Sequence, residues 1–364
     1  MPYTYLTPGP SALFPTYKEY MAEAIDRQLG SINHRSETFR SMYQLTDQAL
    51  RRLMNIPDTH RIFFTSSATE IWERMILNCS ASNSFHLVNG SFSKRFYEFA
   101  LTLGRASACI EVNEGEGFEV EHLNIPSEYE LICTTYNETS TGVQMQKNDL
   151  AVLKKQHPNS IVCSDCVSIA PCVDIDFNVA DCIFFSVQKA FGLPPGLGVW
   201  IVNDACIDKA AWLKKSGHSI GAHHNLLSFE ENYRKFETPC TPNVLSIFLL
   251  GKVAEEMNST GIQKIIEESK IKADLLYHLA EEREDLRPFV QNRSYRSDTV
   301  IVLETGSMAS DIKSYLKENG IIVGSGYGKN KETQIRIANF PAISLTQMRT
   351  FAEILNSFPY RFMN

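Results

Sequence analysis

The sequence predicts an α/β fold built on a largely parallel central sheet. Between residues 60 and 205, short apolar runs alternate with stretches of helical character, which is the pattern of an α/β domain. The seven predicted strands are residues 61–65, 84–88, 108–112, 131–134, 160–165, 182–186 and 199–202. Polar residues follow several of these runs: Ser66, Asn137, Asp165 and Lys189. Because ligands of such sheets bind at the carboxyl ends of the strands, we expect these four side chains to surround one site.

The C-terminal part of the chain predicts a smaller α+β unit. Residues 243–282 have apolar residues at helical spacing and predict a long helix that links two domains. Strands are predicted at 299–303, 320–323 and 334–337, and helices at 310–319 and 345–358. We therefore expect a large domain at 15–255, with a seven-stranded sheet flanked by helices, and a small domain at 256–364 that also includes residues 1–14.

Composition limits the classes of partner. The chain has 364 residues, of which 43% are hydrophobic and 21% charged, as in ordinary globular enzymes. Its formal net charge is −7 and it has no basic run, so nucleic acid is not an expected partner. It has no long apolar span and no export signal, so no membrane is expected. Nine cysteines without an export signal favour reduced thiols and a cytoplasmic location.

Lys189 and Asp165 are the strongest candidates for chemistry. Each follows or ends a predicted strand, and a Gly- and Pro-rich segment succeeds the lysine. Taken alone, a lysine after a strand is most often a solvated charge. A lysine paired with a carboxylate, however, is what pyridoxal phosphate requires, because the amine forms a Schiff base and the acid keeps the pyridine nitrogen protonated. The pair therefore makes pyridoxal phosphate the cofactor to expect, provided that other segments of the chain agree.

Other polar segments permit both a functional and a structural interpretation. The Ser66–Thr69 stretch leaves a strand and enters a helix, so it either binds a phosphate or simply caps the helix. Phe92 either stacks on a planar cofactor or packs in the core. The segment that contains Thr139 is a polar cluster at a strand end, where a hydroxyl could reach the ring oxygen of pyridoxal.

Three further patterns do not predict a site. Cys163 and Cys166 form a Cys-x-x-Cys match without a second cysteine pair, so no metal is expected there. The glycine-rich segment 324–330 lacks the Ser or Thr that a phosphate loop needs after its lysine. His223 and His224 have no carboxylate nearby on their own element and predict a loop. No metal site is therefore predicted.

Four segments together resemble the class V aminotransferases of fold type I. They are the Gln-Lys-Ala-Phe-Gly-Leu-Pro-Pro-Gly-Leu-Gly sequence around Lys189, Asn-Glu-Thr-Ser-Thr-Gly at 137–142, Thr-Pro-Gly-Pro-Ser at 7–11 and His-Arg-Ser at 34–36. The resemblance runs from about residue 6 to about residue 358. The chain is similar both to phosphoserine aminotransferases and to alanine or serine–glyoxylate aminotransferases.

The resemblance implies a role for each matching residue. Lys189 would form the Schiff base, Asp165 would partner the pyridine nitrogen, Thr139 would bond the ring oxygen and Phe92 would stack on the ring. The residues that would hold the cofactor phosphate are Ser67, Ala68, Thr69 and Gln188, joined by Thr238 of a second subunit. Arg336 would bind the substrate carboxylate, and His34 and Arg35 would bind its distal anion. A homodimer with shared active sites follows from the expected place of Thr238.

The resemblance also predicts the reaction, with alternatives. We expect an amino group to be transferred between an amino acid and a 2-oxo acid, with phosphoserine and 2-oxoglutarate as the pair, in serine biosynthesis. The alternative is a glyoxylate-type aminotransferase. It is favoured by the Ser66–Thr69 loop, by Phe92 where the phosphoserine enzymes usually have Trp, and by segment 324–329, which lacks their His-Arg pair. A relative without transaminase activity, such as a cysteine desulfurase, is the third possibility.

Overall fold

The structure, a computed structural model, describes residues 3–359. The strands are β1 (Thr4–Leu6), β2 (His60–Thr65), β3 (Phe85–Val88), β4 (Ala108–Glu111), β5 (Leu131–Thr135), β6 (Asn137–Glu138), β7 (Val143–Gln144), β8 (Ile161–Asp165), β9 (Cys182–Ser186), β10 (Gly198–Asn203), β11 (Arg287–Pro288), β12 (Val300–Glu304), β13 (Ile321–Ser325) and β14 (Gln334–Ala338). The helices are α1 (Tyr17–Asp26), α2 (Glu37–Met54), α3 (Ala68–Cys79), α4 (Ser91–Thr102), α5 (Asp149–Gln156), α6 (Asp204–Lys215), α7 (Leu226–Tyr233), α8 (Val244–Thr260), α9 (Ile262–Glu282), α10 (Ala309–Glu318) and α11 (Leu345–Asn356).

The large sheet has seven strands in the order β2-β10-β9-β8-β5-β3-β4. Strand β10 is antiparallel to both of its neighbours, and the pairs from β9 to β4 are parallel. All seven apolar runs that the sequence predicts as strands lie in this sheet. The predicted α/β fold with a mainly parallel sheet is therefore confirmed.

Both faces of this sheet are buried, as its nearly continuous apolar strands require. Along β2, Ile62 and Phe64 join one hydrophobic cluster and Phe63 joins another. Along β9, Phe185 joins the first cluster and Phe184 the second. Successive side chains of a strand point to opposite faces, so the two clusters are the two helix-covered sides of the sheet.

The second sheet has five strands in the order β1-β13-β14-β12-β11. The N-terminal strand β1 pairs in parallel with β13, which joins the start of the chain to the C-terminal unit. On β12, Ile301 joins the cluster beneath α10 and α11, whereas Val300 and Val302 join the main cluster. One face of the small sheet thus packs toward the large sheet, and the N-terminal segment is positioned between the two.

The expectation of one long helix over residues 243–282 was wrong. Two helices, α8 and α9, cover that stretch, and Gly261 separates them with a φ of 89°, in the region that favours glycine. The domain boundaries at 15–255 and 256–364 stay a prediction, and residues 1–2 and 360–364 lie outside the described residues. Among the described helices, none combines the length and apolar character that crossing a membrane requires.

Candidate active site

Lys189 lies three residues beyond the end of β9 and is 7% exposed. Its Nζ donates a hydrogen bond to the carbonyl oxygen of Pro8. Burial disfavours the ammonium form and nearby Arg336 adds like-charge repulsion, and together they lower the pKa of Lys189 to about 7. A lysine in this environment exists partly as the neutral amine near neutral pH, which is the nucleophilic form.

The N-terminal segment covers this lysine. Gly9 has a φ of 133°, and a Cβ built on it would lie 2.4 Å from Lys189 Nζ. Ser11 N donates to the carbonyl oxygen of Gln188 at 3.3 Å, which fixes the segment against the lysine loop. Glycine is therefore required here both by the backbone conformation and by the close approach of the amine. The strand β1 that precedes this segment belongs to the small sheet, so both sheets contribute to the environment of Lys189.

Asp165 is the last residue of β8 and is 4% exposed. Its Oδ2 accepts a hydrogen bond from Trp72 Nε1 at 2.9 Å, and its Oδ1 accepts one from Val167 N, also at 2.9 Å. Burial raises the pKa of Asp165 to about 6, although these two hydrogen bonds and the charge of Lys189 act in the opposite direction. The two bonds fix the carboxylate in one orientation.

Lys189 and Asp165 line the same cavity at the carboxyl ends of the strands, as expected for such a sheet. Its volume is about 270 Å³, near the lower end of the range for small-molecule pockets. The residues that line it are Gly9, Pro10, Ser67, Ala68, Thr69, Trp72, Phe92, Thr135, Asn137, Thr139, Asp165, Val167, Ser186, Gln188, Lys189 and Pro195. Eight predicted cofactor residues are thus brought together, and Thr238 is not among the lining residues.

The cavity fits pyridoxal phosphate in its chemistry. Gln188 Oε1 and Asn137 Oδ1 are buried and have no hydrogen-bond partner within the described chain, which is costly unless a ligand supplies one. One wall is the N-terminus of α3, a place that favours a phosphate. Another part of the lining offers an amine and a buried carboxylate. These groups suit the three reactive parts of pyridoxal phosphate: the carboxylate suits the ring nitrogen, the amine suits the aldehyde carbon, and the N-terminus of α3 suits the phosphate.

At the N-terminus of α3 the structure shows a helix cap, and the phosphate-binding role of the Ser66–Thr69 stretch stays a prediction. Ser67 Oγ caps the helix by accepting from Glu70 N at 3.2 Å. Ser186 Oγ accepts from Ala68 N at 2.9 Å. Ser67, Ala68 and Thr69 nevertheless line the cavity, so the capped helix end also faces it.

Phe92 and Thr139 both line this cavity. Phe92 lies at the start of α4, and its ring centroid is 5.3 Å from that of Tyr327. Glu138, fully buried, accepts from the backbone N–H groups of Phe92 and Ser93 at 3.3 and 2.9 Å. The buried carboxylate thereby holds the first turn of α4, and with it Phe92, at the cavity.

Arg336 lies on β14 and is oriented by two carbonyl groups. Its Nε donates to Ser325 O at 2.7 Å and its Nη1 donates to Thr139 O at 3.0 Å. The guanidinium carbon is 5.2 Å from the ring centroid of Tyr327. Burial lowers the pKa of Arg336, but arginine stays charged in proteins. Arg336 does not line the cavity itself, but its charge acts on Lys189.

His34, Arg35 and Thr238 lie in a separate cluster and do not line this cavity. Arg35 forms an ion pair with Glu237 and donates to Asn232 Oδ1 at 2.7 Å. Thr238 Oγ1 donates to Cys240 O at 2.7 Å. Burial and the charge of Arg35 lower the pKa of His34. Within the described chain these residues are therefore grouped around the segment that holds Glu237, and their predicted roles stay predictions.

Several residues of the site were not singled out by sequence reasoning. Trp72 lies on the inner side of α3, five residues beyond Ser67, and only the tertiary structure brings it to Asp165. Tyr327 belongs to the glycine-rich segment 324–330, in which the sequence shows neither a complete phosphate loop nor a His-Arg pair. Glu138 adjoins Thr139 in a quoted motif, and its position in that polar cluster was the one available signal.

Comparison with known proteins agrees with this geometry. The family model described as aminotransferase class-V matches residues 7–332. Phosphoserine aminotransferase of Rhodococcus opacus is 26% identical over 92% of this chain and 89% of that protein, and that of Corynebacterium glutamicum is 26% identical over 93% and 90%. The crystal structure of a phosphoserine aminotransferase from Cytophaga hutchinsonii superimposes with a TM-score of 0.97 at 42% identity, and covers 98% of this chain and 99% of that chain. An alanine–glyoxylate aminotransferase from Nostoc sp. shares the fold, with a TM-score of 0.85 at 18% identity over 98% and 95%.

Proposed function

The chain belongs to the class V aminotransferase family, and from this premise we propose that its substrates are phosphoserine and 2-oxoglutarate, in serine biosynthesis. As a class V enzyme of fold type I, it is a pyridoxal phosphate-dependent transaminase that acts on an amino acid and a 2-oxo acid. The observation that carries the choice of substrate is the likeness to the Cytophaga hutchinsonii phosphoserine aminotransferase, which extends over nearly the full length of both chains.

Lys189 and Asp165 have the environments that the reaction demands. Bound pyridoxal phosphate supplies an electron sink for the negative charge that develops at the substrate Cα. We assign Asp165 to the ring nitrogen, because its two fixed hydrogen bonds leave a buried carboxylate that stabilises a proton there. Lys189, with its pKa lowered to about 7, attaches the cofactor and, as a free amine, carries the proton that leaves the substrate Cα.

The remaining cavity residues position the cofactor in this proposal. Ser67, Ala68 and Thr69 at the N-terminus of α3 hold the phosphate together with Gln188, whose buried Oε1 lacks a partner among the described residues. Phe92 stacks on the ring and Thr139 binds the ring oxygen. The carbonyl of Thr139 also orients Arg336, so one residue connects the cofactor site to the substrate site.

Arg336 binds the substrate carboxylate in this proposal. A planar guanidinium can form two parallel hydrogen bonds with a carboxylate. Nε and Nη1 are committed to carbonyl groups, which aims the remaining N–H donors in one direction. His34 and Arg35 bind the distal anion, and Thr238 binds the cofactor phosphate, from the other subunit of a homodimer. We further propose that the enzyme works in the cytoplasm, since all nine cysteines are free thiols.

A second candidate function has one specific observation in its favour. Tyr327 packs against both Phe92 and Arg336, and it lies in the segment where the phosphoserine enzymes carry a His-Arg pair. An aromatic ring at this position adds apolar surface and no positive charge. Transamination of alanine or serine with glyoxylate would suit such a surface better than transamination of a phosphate ester.

Measurement of substrate preference tests the proposal. The holoenzyme is mixed separately with phosphoserine, alanine and serine, and the visible absorbance of the cofactor is recorded, followed by kcat/KM with 2-oxoglutarate or glyoxylate as the acceptor. We expect the absorbance to change with phosphoserine and kcat/KM to be at least about tenfold higher than for the other two donors, a difference of roughly 1.4 kcal/mol in transition-state binding. A preference for alanine or serine would refute the phosphoserine assignment and support the second candidate. Lys189→Ala is the control, and it should show no turnover with any donor.

A further inference from the structure

A second group of chemically active side chains lies outside the cofactor cavity. His223 and His224 belong to the loop between α6 and α7, and Cys240 belongs to the loop between α7 and α8. One potential ligand atom from each of these three residues lies within 4.8 Å of the other two. His224 is buried, Cys240 is half-buried and His223 is exposed. The two loops that flank α7 therefore bring two imidazoles and a thiol together.

A carboxylate from a third element orients this group. Glu70, in the first turn of α3, has its Oε1 2.5 Å from His224 Nδ1. A carboxylate only accepts hydrogen bonds, so Nδ1 of His224 carries a proton. In the neutral imidazole Nε2 then has a free lone pair, and it faces Cys240 Sγ at 3.0 Å.

We propose that His223, His224 and Cys240 bind one divalent metal ion of the zinc class, with Glu70 orienting His224. Imidazole and thiolate are the ligands that zinc prefers, and three protein ligands leave one position for water. Histidines that bind metals characteristically donate their other ring N–H to a carboxylate, as His224 does. The sequence predicted only a loop here because the carboxylate comes from α3 and the thiol from beyond α7.

The observed separations are compatible with a tetrahedral site. Bonds of about 2.0–2.3 Å to zinc place ligand atoms roughly 3.3–3.8 Å apart. All three ligand atoms lie within 4.8 Å of one another, and His224 Nε2 and Cys240 Sγ, now 3.0 Å apart, need to separate by a few tenths of an ångström. When the ion binds, the Cys240 thiol loses its proton to solvent and the sulfur electron pair goes to the metal.

The same groups suit a reactive thiol less well. A Glu–His–Cys arrangement resembles a nucleophilic triad. A triad, however, has no use for His223, whose ring stacks on that of His224 at 3.8 Å.

The ion would connect two segments that we assign to the cofactor. The second oxygen of Glu70 accepts from Ser66 N at 2.9 Å and from Ser66 Oγ at 2.6 Å, at the entrance to the phosphate-binding turn. The carbonyl of Cys240 accepts from the Thr238 hydroxyl. Metal binding therefore acts on both segments at once, through Glu70 and through Cys240.

Zinc affinity of the metal-free holoenzyme is the test. Zinc is titrated in competition with a chromophoric chelator, and cobalt is titrated separately because its visible bands report tetrahedral and thiolate coordination. We expect one ion per subunit. Cys240→Ser and His223→Asn should weaken zinc binding by more than about 100-fold, and Glu70→Gln by roughly 10–100-fold, the usual effect of losing such a carboxylate partner.

Two matched variants control for effects of losing a thiol or a histidine anywhere in the protein. Cys109→Ser replaces the other thiol that is half-buried, and His218→Asn replaces an exposed histidine outside the cluster. Both should bind zinc as the unmodified enzyme does. The proposal is overturned if there is no saturable uptake, or if Cys240→Ser binds as tightly as the Cys109→Ser control. Rapid alkylation of Cys240 that zinc does not slow would likewise overturn it, and would indicate an activated thiol instead.

Discussion

Lys189 and Asp165 carry opposite potential charges, and burial acts against both of them. The ammonium form of Lys189 is disfavoured, so its pKa falls to about 7, and the carboxylate form of Asp165 is disfavoured, so its pKa rises to about 6. The structure compensates Asp165 with donors from Trp72 and Val167, whereas among residues 3–359 Lys189 Nζ has a carbonyl acceptor from Pro8 alone. Near neutral pH the acid is therefore largely ionised and the amine is partly neutral, as the proposed roles require.

The lowered pKa of Lys189 predicts how fast the cofactor-free enzyme binds pyridoxal phosphate at different pH values. Only the neutral amine attacks the aldehyde, so the rate should rise with pH through about 7 and level off, instead of rising toward 10.5. The rate is followed by absorbance, and a lysine analogue in the same buffers corrects for titration of the cofactor itself. A rate that follows the analogue at every pH would contradict the assigned environment.

Trp72→Phe should impair the enzyme through Asp165. The substitution removes the donor to Oδ2, so the pKa of Asp165 should rise above about 6 and the carboxylate should be protonated over a wider pH range. A hydrogen bond to a charged group contributes roughly 1.5–3 kcal/mol, or about one to two pKa units, so the ionised fraction of Asp165 and with it kcat/KM at pH 7 should fall by roughly 2- to 15-fold.

The pH profile distinguishes this positioning role from a general loss of packing. In Trp72→Phe the acidic limb of kcat/KM should move to higher pH, because the carboxylate that must be ionised has a higher pKa. Trp212→Phe is the matched control, since Trp212 is 51% exposed and remote from Asp165. If the acidic limb of Trp72→Phe stays where it is in the control, Trp72 does not tune Asp165.

Sequence reasoning found the residues that end strands and missed those that reach the site across the fold. Asp165 and Lys189 follow apolar runs directly, so the rule for parallel sheets predicts that they meet. Trp72 reaches Asp165 from a helix, and no local pattern distinguishes it from an ordinary core residue. Gly9 lies against Lys189 because β1 pairs with β13, more than 300 residues away in the sequence. The sequence of neither strand specifies that pairing by itself.

At the scale of elements, long apolar runs were predictable and short pairings were not. The run at 182–186 coincides with β9, and the other six strands of the large sheet differ from their predictions by one residue at one end or, for β10, at both ends. The two-residue strands β6, β7 and β11 carry too few residues for a periodic signal. The break at Gly261 was missed because apolar residues at helical spacing continue on both sides of it.

Contacts made by loops were even harder to predict from the sequence than the short strand pairings. The loop with His223 and His224 and the loop with Cys240 flank α7; His224 contacts Glu70 in the N-terminal turn of α3 and Cys240 in the second loop. Neither contact follows from the residue types near it. Loops of this kind acquire their chemistry from the rigid elements that position them.

At the scale of the molecule, a single chain does not bring all of the predicted site residues together in one cavity. The cavity brings together the amine, the carboxylate and the N-terminus of α3, whereas His34, Arg35 and Thr238 form their own cluster through Glu237 and Asn232. A homodimer in which this cluster faces the cavity of the other subunit would complete each site. Closed twofold symmetry produces two such shared sites at once.

Mixed dimers test this arrangement. Lys189→Ala subunits should be inactive, and Arg35→Ala subunits should have kcat/KM for phosphoserine lowered by about 10- to 100-fold, because one charged contact is lost. When the two are mixed and allowed to exchange, half of the dimers are hybrid, and each hybrid has one site with an intact Lys189 and an intact Arg35. Activity should therefore rise to about a quarter of that of the unmodified enzyme, as random pairing in a symmetric dimer requires. If Arg35 instead served the cavity of its own subunit, no hybrid would contain an intact site, and the activity of the mixture would stay at the average of the two parent variants.

Sedimentation of the mixture provides the control, because it must show dimers before either result is interpreted.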